Sequence, residues 1–230
     1  MKKALFPLLL GLLLPLSILA QSREKRTIRS FSELEISGIY EVYLRQGNTE
    51  SLELEADEDV MDKLITENKG DRLVLRMEHV RMNQYKNRKV KAYITCRRLD
   101  RIEMSGATHL QGETPLHTKA LAIGISGAGD VRLEIDTESL EASISGAGDL
   151  RVTGRTGEQR VEISGAGDYK SYDLASRRAE VRVSGAGSAN VTVSEEIDAH
   201  ASGAGNVYYK GSPSRTNVKS SGAGSVKKVS

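Results

Sequence analysis

A column of short polar side chains recurs in the second half of the chain and could do chemistry. It follows each copy of a repeated Ser-Gly-Ala-Gly tetrapeptide and holds Asp130, Asp149, Asp168, Ser188, Asn206 and Ser225. If the copies stack at the usual strand spacing of about 4.8 Å, the three carboxylates either repel one another or share a cation such as Ca²⁺. Asp, Asn and Ser also close turns by accepting a hydrogen bond from a backbone N–H two residues on. Turn capping explains the Ser and Asn positions of the column as well as the Asp positions, so we predict turn capping. The alternative is a cation ladder formed by Asp130, Asp149 and Asp168.

The serines of the tetrapeptides form a second column that resembles a set of nucleophiles. They are Ser126, Ser145, Ser164, Ser184, Ser202 and Ser221, with Ser105 in a degenerate upstream copy. An activated serine needs a base within hydrogen-bond reach, and no histidine or lysine recurs at a fixed offset from these serines. His79, His109, His117 and His200 are scattered. We therefore predict outward-facing hydroxyls, no catalytic residue and no cofactor.

The tetrapeptide itself recurs at intervals of 19, 19, 20, 18 and 19 residues. Apolar residues alternate with polar ones on both sides of it, which predicts a strand, a tight corner and a second strand. We expect the tetrapeptide's alanine to point inward and its glycines to use positive φ angles. The predicted inward positions lie one and three residues before the serine and five and seven after it, as in Ile123, Ile125, Val131 and Leu133.

A unit of this length cannot bury its own apolar face and must stack on its neighbours. Coils of about 19 residues are too short for propeller blades or helical repeats, so the sequence predicts an all-β, parallel β-helix. An antiparallel β-sandwich or meander is the competing fold. Degenerate copies at Ile102–Leu110 and Leu34–Leu44 keep the same phase, which indicates that the repeat begins near Phe31 and is interrupted by an insertion.

Residues 1–20 combine Lys2 and Lys3 with an apolar run and a small-residue end, which is typical of a secretory signal peptide. A retained membrane anchor is the weaker alternative because Pro15 interrupts the run, and no cysteine follows for a lipid anchor. Without this segment the Lys and Arg residues balance the Asp and Glu residues, which gives no support for nucleic-acid binding. The single cysteine, Cys96, lies on the apolar face of a predicted strand and is expected to be a buried thiol.

The chain divides into the signal peptide at 1–20, a β-rich head portion at 21–98 that continues into the solenoid, and the repeats at 99–230. Within the head we expect residues 21–30 to be loose. We also expect the strands at 31–44 and 52–55 to pair as a hairpin or coil to coil, and a short helix within 57–68. The basic run from Arg76 to Lys91 is expected to be a solvated loop rather than a patch for an anionic partner.

Many β-helices act on polysaccharides, so a carbohydrate-active enzyme, a lyase or hydrolase, is the alternative function. Such an enzyme needs concentrated carboxylates in a cleft and, as a rule, aromatic platforms for sugar rings. The chain has no tryptophan, and Tyr169, Tyr172, Tyr208 and Tyr209 form the only aromatic cluster of the repeats. The last coil places Ser220 and Lys228 at positions that are apolar elsewhere, which predicts a polar cap on the open strand edge.

The segment from Phe31 to Gly47, the following Leu52 to Asp57 and the Ile-Ser-Gly-Ala-Gly-Asp repeats together resemble the exported proteins described as "putative autotransporter adhesin, head GIN domain". The resemblance covers nearly the whole chain after residue 20. It implies a right-handed parallel β-helix in a secreted or surface-associated bacterial protein with an adhesive role, and it carries over no catalytic motif.

The sequence contains no carboxy-terminal translocator, which departs from the family name and favours a periplasmic or outer-surface protein delivered by the signal peptide. We therefore expect a non-enzymatic protein of the cell envelope that serves as an adhesin or surface-binding scaffold. Its partner would be a glycan, a matrix component, another envelope protein or a second copy of itself. We expect no membrane span after signal cleavage.

Overall fold

The computed structural model describes residues 21–78 and 90–230, so the predicted signal peptide and most of the basic run lie outside it. It consists of stacked coils of about 19 residues that form a parallel β-solenoid of about seven turns. The predicted β-helix is thus confirmed, and the antiparallel sandwich is wrong. The handedness stays a prediction. In the described residues no helix has the length and hydropathy of a membrane span.

The first part of the chain contains eight short elements before the regular coils. They are β1 (Gln21–Arg26), β2 (Glu33–Gly38), β3 (Glu41–Gln46), β4 (Ser51–Asp57), α1 (Glu58–Met61), β5 (Leu64–Lys69), β6 (Arg72–Met77) and β7 (Lys91–Cys96). The regular coils follow as β8 (Arg101–Gly106), β9 (His109–Gly112), β10 (Leu116–Gly127), β11 (Asp130–Ile144), β12 (Asp149–Ile163), β13 (Asp168–Gly185), β14 (Ser188–Gly203), β15 (Asn206–Lys210), β16 (Arg215–Ser220) and β17 (Ser225–Lys228).

Each Ser-Gly-Ala-Gly corner separates two stacks of strand segments. We call the segments that lead into the corners the entry sheet, which runs in the order β5, β6, β2, β8, the ends of β10 to β14, and β16. The segments that leave the corners are the exit sheet, which runs β1, β4, β7, β3, β9, the starts of β11 to β14, β15 and β17. The stacking is in register, with Ile36 opposite Met104 and Gly38 opposite Gly106, so the degenerate copies are confirmed as coils.

The predicted inward residues form the core. Ile123, Ile125, Val131 and Leu133 and their counterparts through Val207 are buried, because period-two alternation places them all on the inner face. The terminal coil is the exception, since Val218 is exposed and every residue of β16 faces solvent. Cys96 is fully buried, as predicted, and burial raises the pKa of its thiol to about 11.

The prediction that the tetrapeptide's alanine points inward is wrong. Alternation continues through the corner, so Ala147 lies in the outward phase and is exposed, while Gly148 lies in the inward phase and is buried. The expected positive φ angles are also wrong for the central coils and occur only at first glycines of terminal copies, such as Gly106 and Gly203. The central corners need glycine because a Cβ at Gly148 would stand 2.3 Å from the carbonyl oxygen of Gly129 in the preceding coil.

The head portion differs from the sequence prediction in three ways. Residues 21–30 are not all loose, because β1 pairs antiparallel with β4. The strands β3 and β4 do not pair with each other, because β7 lies between them, parallel to β3 and antiparallel to β4. The helix α1 is only four residues long, and Leu64–Lys69 forms β5 instead, because it pairs with β6.

Candidate ligand-binding face on the exit sheet

The serine column faces outward, as predicted, and the hydroxyls of Ser126, Ser184 and Ser202 donate to carbonyl oxygens of the preceding coil. Ser202 Oγ, for example, donates to the carbonyl oxygen of Val183 at 3.4 Å. The three described histidines contact aspartates instead of serines, and His79 lies outside the described residues. The contacts are His109 to Asp130 at 3.1 Å, His117 to Asp136 at 3.6 Å and His200 to Asp198 at 3.3 Å.

The aspartate column lies on the outer face of the exit sheet, with Asp130, Asp149 and Asp168 directly opposite one another on adjacent strands. Its side chains bond between coils. Asp168 accepts hydrogen bonds from the N–H of Ser188 at 3.0 Å and from its hydroxyl at 2.7 Å, and the hydroxyl of Ser225 donates to Asn206 at 2.7 Å. This differs from the predicted capping, in which each carboxylate would accept a bond from its own coil two residues on.

Lys170 takes the place that a bridging cation would have between two of the carboxylates. Its ammonium group contacts Asp149 and lies 3.5 Å from Asp168, and the hydrogen bond to Asp149 raises the pKa of the lysine. Among residues 21–78 and 90–230, no group of three or more His, Cys, Asp or Glu side chains is placed to hold a metal ion. The cation ladder stays an untested alternative for these three aspartates.

A second column runs beside the aspartates, two residues further along each strand. From β7 to β17 it holds, on successive strands, Tyr93, Tyr43, Gln111, Arg132, Arg151, Lys170, Asn190, Tyr208 and Lys227. We call this the cation column, because Arg132, Arg151 and Lys170 stand on three adjacent strands at its centre. Arg132 and Arg151 are exposed, and neither forms an ion pair with a carboxylate of the described residues.

On the outer face that leads towards the entry sheet, charges of opposite sign alternate along a column. There the successive side chains Glu158, Arg178, Glu196 and Arg215 alternate in sign. Arg178 pairs with Glu158 at 3.3 Å and Arg215 with Glu196 at 2.8 Å. A depression of about 510 Å³ lies over Glu158, Arg178 and Glu196. Like charges directly opposite one another on neighbouring strands are destabilising, so the like charges at the centre of the exit sheet contrast with this alternating column.

Two tyrosines stand at the head end of the cation column. The rings of Tyr43 and Tyr93 stack with centroids 5.2 Å apart and planes 13° apart, and the guanidinium of Arg23 lies 5.2 Å from the Tyr93 centroid. Tyr43 donates to Glu41 at 2.7 Å. The stacking and the cation–π contact both stabilise this position of the Tyr93 ring.

Glu55 anchors this aromatic pair from below. Its carboxylate accepts hydrogen bonds from Lys91 at 2.8 Å and Tyr93 at 3.1 Å and pairs with Arg23 at 2.6 Å. The hydrogen bond from Lys91 is the main cause that lowers the pKa of Glu55. Burial and the bond to Glu55 raise the pKa of Tyr93, so the phenol stays neutral and donates.

The aromatic cluster predicted from the repeats is split by the fold. Tyr169 is fully buried and donates to Gln159 at 2.9 Å, while Tyr209 packs partly against the core. Tyr172 and Tyr208 lie on the outer face of the exit sheet, where the ammonium of Lys210 stands 4.9 Å from the Tyr172 centroid. Tyrosines therefore stand near both ends of the cation column.

A shallow furrow connects these groups at the head end. It has a volume of about 450 Å³ and is lined by Glu41, Tyr43, His109, Gln111, Asp130 and Arg132. A smaller hollow of about 70 Å³ continues it past Asp149, Arg151 and Lys170. The face offers aromatic rings and charged groups over a long, open surface, which suits the binding of an extended macromolecule better than the enclosure of a small one.

Sequence reasoning found the aspartates but missed the cation column beside them. The signal was present, because Arg132, Arg151 and Lys170 each stand two residues after an aspartate of the column. The contribution of Tyr43 and Tyr93 had no comparable signal, since 50 residues separate them in sequence and only the coil order brings them together.

Comparison with known proteins supports the same fold. A structure described as a putative adhesin from Bacteroides fragilis aligns with a TM-score of 0.85 and 21% identity, over 91% of this chain and 97% of that one. A putative lipid binding protein from Parabacteroides distasonis aligns with a TM-score of 0.73 and 20% identity, over 91% and 97%. A putative adhesin from Parabacteroides merdae aligns with a TM-score of 0.69 and 20% identity, over 91% and 96%.

No curated protein matches the chain. A family model described as "Putative auto-transporter adhesin, head GIN domain" matches residues 30–213, which is most of the chain and includes both columns up to β15. The resemblance expected from the segment after Phe31 and from the repeats is thereby confirmed, and the chain belongs to this family.

Proposed function

We propose that this protein is a non-enzymatic adhesin of the cell envelope that binds a macromolecular partner through the outer face of the exit sheet. The observation that carries the proposal is the set of like charges at the centre of the cation column, where Arg132 and Arg151 stand exposed and without ion-pair partners among the described residues. Exposed like charges on adjacent strands reduce stability, and a binding role accounts for their presence. Family membership supports the adhesive role.

A carbohydrate-active enzyme is the alternative that this proposal has to exclude by experiment. A glycosidase needs one carboxylic acid that stays protonated and a second carboxylate at a defined separation. The aspartates of the exit sheet instead contact His109, Lys170 and Ser188. This supports a binding role for the face.

We further propose that residues 1–20 direct export and that the protein acts in the periplasm or on the outer surface. Support comes from the basic, apolar and small-residue order of that segment and from the family's adhesin description. Protease treatment of intact cells separates the two compartments, because only a surface-exposed chain is degraded.

The binding proposal is tested with the labelled, purified protein on a glycan array and on cells that carry or lack this protein. We expect the wild type to be retained and the variant Arg132→Glu/Arg151→Glu to lose at least about tenfold in retention, because charge reversal removes electrostatic complementarity. The matched control is Lys119→Glu/Arg177→Glu, which makes the same change in charge at exposed residues away from both columns.

Equal retention of the two double variants would refute the role of this face. Release of shortened sugar chains from any polysaccharide by the wild type would refute the non-enzymatic proposal.

A further inference from the structure

The two columns of the exit sheet form parallel stripes of opposite charge. One stripe contains Asp130, Asp149 and Asp168, and the other contains Arg132, Arg151 and Lys170. Residues two apart on a strand are about 7 Å apart, so the stripes run side by side along the solenoid axis. A surface of this kind is its own electrostatic complement.

The symmetry that matches such a surface to itself is a two-fold axis that lies between the stripes and parallel to them. Rotation about this axis keeps the coil order and exchanges the stripes, which is the isologous contact of a C₂ dimer. Arg132 of one copy then faces Asp130 of the second copy, and Arg151 faces Asp149. Each contact is made twice.

The flanking rungs match under the same rotation. Lys170 meets Asp168 and Asn190 meets Ser188, so each of these two meetings pairs a donor with an acceptor. Tyr43, which donates to Glu41 within its own copy, meets an equivalent acceptor in Glu41 of the second copy. At the far head end the rotation brings Glu53 towards Glu55, which are like charges. The contact is therefore centred on β11, β12 and β13.

The acidic stripe argues against a polyanionic partner. An acidic glycan or a nucleic acid that approached Arg132 and Arg151 would also approach Asp130 and Asp149 about 7 Å away, and like charges across an interface are costly. A second copy satisfies both stripes at once. The two stripes of opposite charge thus weaken binding to a partner of one charge and strengthen binding to a second copy of the chain.

We infer that the partner of the exit-sheet face is a second copy of this chain, bound in parallel about a two-fold axis with Arg132 and Arg151 paired to Asp130 and Asp149 across the interface. This inference rests on the proposed function and names the partner of the same face. It makes the protein a homophilic adhesin.

The size of the face sets the expected strength of the contact. The eight parallel strands from β3 to β17 cover about 34 Å along the axis, and five residues of strand cover about 16 Å, or about 540 Å² per copy. Interfaces of this size belong to weak and transient complexes. Many copies on one surface would compensate by avidity.

The test measures self-association of the purified protein by sedimentation velocity across a concentration series at low and at high salt. We expect a monomer–dimer equilibrium that shifts towards the monomer as salt rises, because the Debye length falls from about 30 Å at 0.01 M to about 3 Å at 1 M. Arg132→Asp/Arg151→Asp and Asp130→Arg/Asp149→Arg should each weaken the dimer at least about tenfold, because each puts like charges across the interface.

A mixture of these two charge-reversed variants should restore a heterodimer, since each variant supplies the stripe that the other has lost. Circular dichroism and thermal melting confirm that each variant is folded. Because Asp149 contacts Lys170, the milder pair Arg132→Gln/Arg151→Gln provides a second route that keeps the aspartates intact and should also weaken the dimer. The control Lys119→Glu/Arg177→Glu should dimerise like the wild type.

A wild type that stays monomeric at low salt throughout the series would overturn the inference. So would a dimer that persists in the folded charge-reversed variants, or a mixture that does not associate. These outcomes differ from failure of the proposed function. The protein could stay monomeric and still need Arg132 and Arg151 for retention on the array, or for equal retention on cells with and without the protein. That result would support the binding face and refute only the second copy as its partner.

Discussion

At the residue scale, the corners depend on glycine because successive coils approach one another closely. A Cβ on Gly148 would lie 2.3 Å from the carbonyl oxygen of Gly129 and 2.8 Å from a methyl carbon of Ile125. Neither atom can move freely, since one belongs to the backbone and the other to the packed core. The close spacing of the coils therefore requires the glycines of Gly-Ala-Gly, while its alanine faces solvent.

We predict that Gly148→Ala lowers the free energy of unfolding by about 1–3 kcal/mol, because the added methyl overpacks the corner. Ala147→Ser is the neighbouring control and should stay within about 0.5 kcal/mol of the wild type, because its side chain is exposed. Chemical denaturation of the three proteins measures both values. Equal stability of the two variants would contradict the close approach at Gly148.

Also at the residue scale, Glu55 gives the head end a pH dependence. Its bonds to Lys91, Tyr93 and Arg23 lower its pKa below the ordinary value of 4.5. The folded state thus binds this proton less readily than the unfolded state. The stability that Glu55 contributes is complete above about pH 4.5 and is lost as the pH falls through the lower folded pKa.

We predict that Glu55→Gln lowers the free energy of unfolding at pH 7 by roughly 1–2 kcal/mol, because a charged hydrogen-bond acceptor is lost. The variant should also lose less stability than the wild type between about pH 5 and pH 3. Glu53→Gln is the control on the same strand, where a more exposed carboxylate contacts Arg23, and its effect should be small. Parallel pH profiles for Glu55→Gln and the wild type would show that Glu55 has no such role.

At the element scale, each strand gains stability from the coils on both sides of it, and the last coil has only one neighbour. Ile144, in a central coil, is fully buried. Val218 occupies the inward position of β16 that corresponds to Ala142, two residues before Ile144. Among the described residues β16 pairs with β14 alone, and it faces solvent throughout. The terminal coil, which was predicted to be polar, therefore adds little to the core.

We predict that Ile144→Ala costs about 2–5 kcal/mol, as buried large-to-small substitutions do. Val218→Ala should cost less than about 0.5 kcal/mol, because an exposed valine leaves no cavity. Hydrogen exchange of the wild type should follow the same order, with fast exchange in β16 and slow exchange in β12. Similar costs for the two substitutions would mean that the terminal coil is packed as tightly as the centre.

At the scale of the whole molecule, the two ends of the solenoid are built differently. The first coil, β2 and β3, is not the end of the stack. The strands β1 and β4 to β7 lie beyond it, with β5 and β6 on the entry sheet and β1, β4 and β7 on the exit sheet. The antiparallel pairs and the buried Val60 and Met61 of α1 close this end, while β16 and β17 end the other with polar side chains.

The family description names an adhesin, and the two columns give the proposed binding role a location on the molecule. Self-association of the exit sheet would leave the entry-sheet side of the solenoid facing outward. There the alternating pairs of Glu158, Arg178, Glu196 and Arg215 already satisfy one another. A surface whose charges are paired internally has less to gain from a partner.

The sequence by itself predicted the solenoid, because the interval of about 19 residues and the alternation around each corner favour stacked coils as the way to bury Ile125, Val131 and their counterparts. It also predicted correctly that the serines of the tetrapeptides face outward. The same alternation, continued through the corner, correctly places Ala147 on the outer face. The tertiary structure alone decided how the head is wound, because pairing of β7 between β3 and β4 depends on contacts distant in sequence. It also decided which charges find partners, since an ion pair depends on side-chain positions across coils, and this is what sets Arg132 and Arg151 apart from the other arginines of the exit sheet.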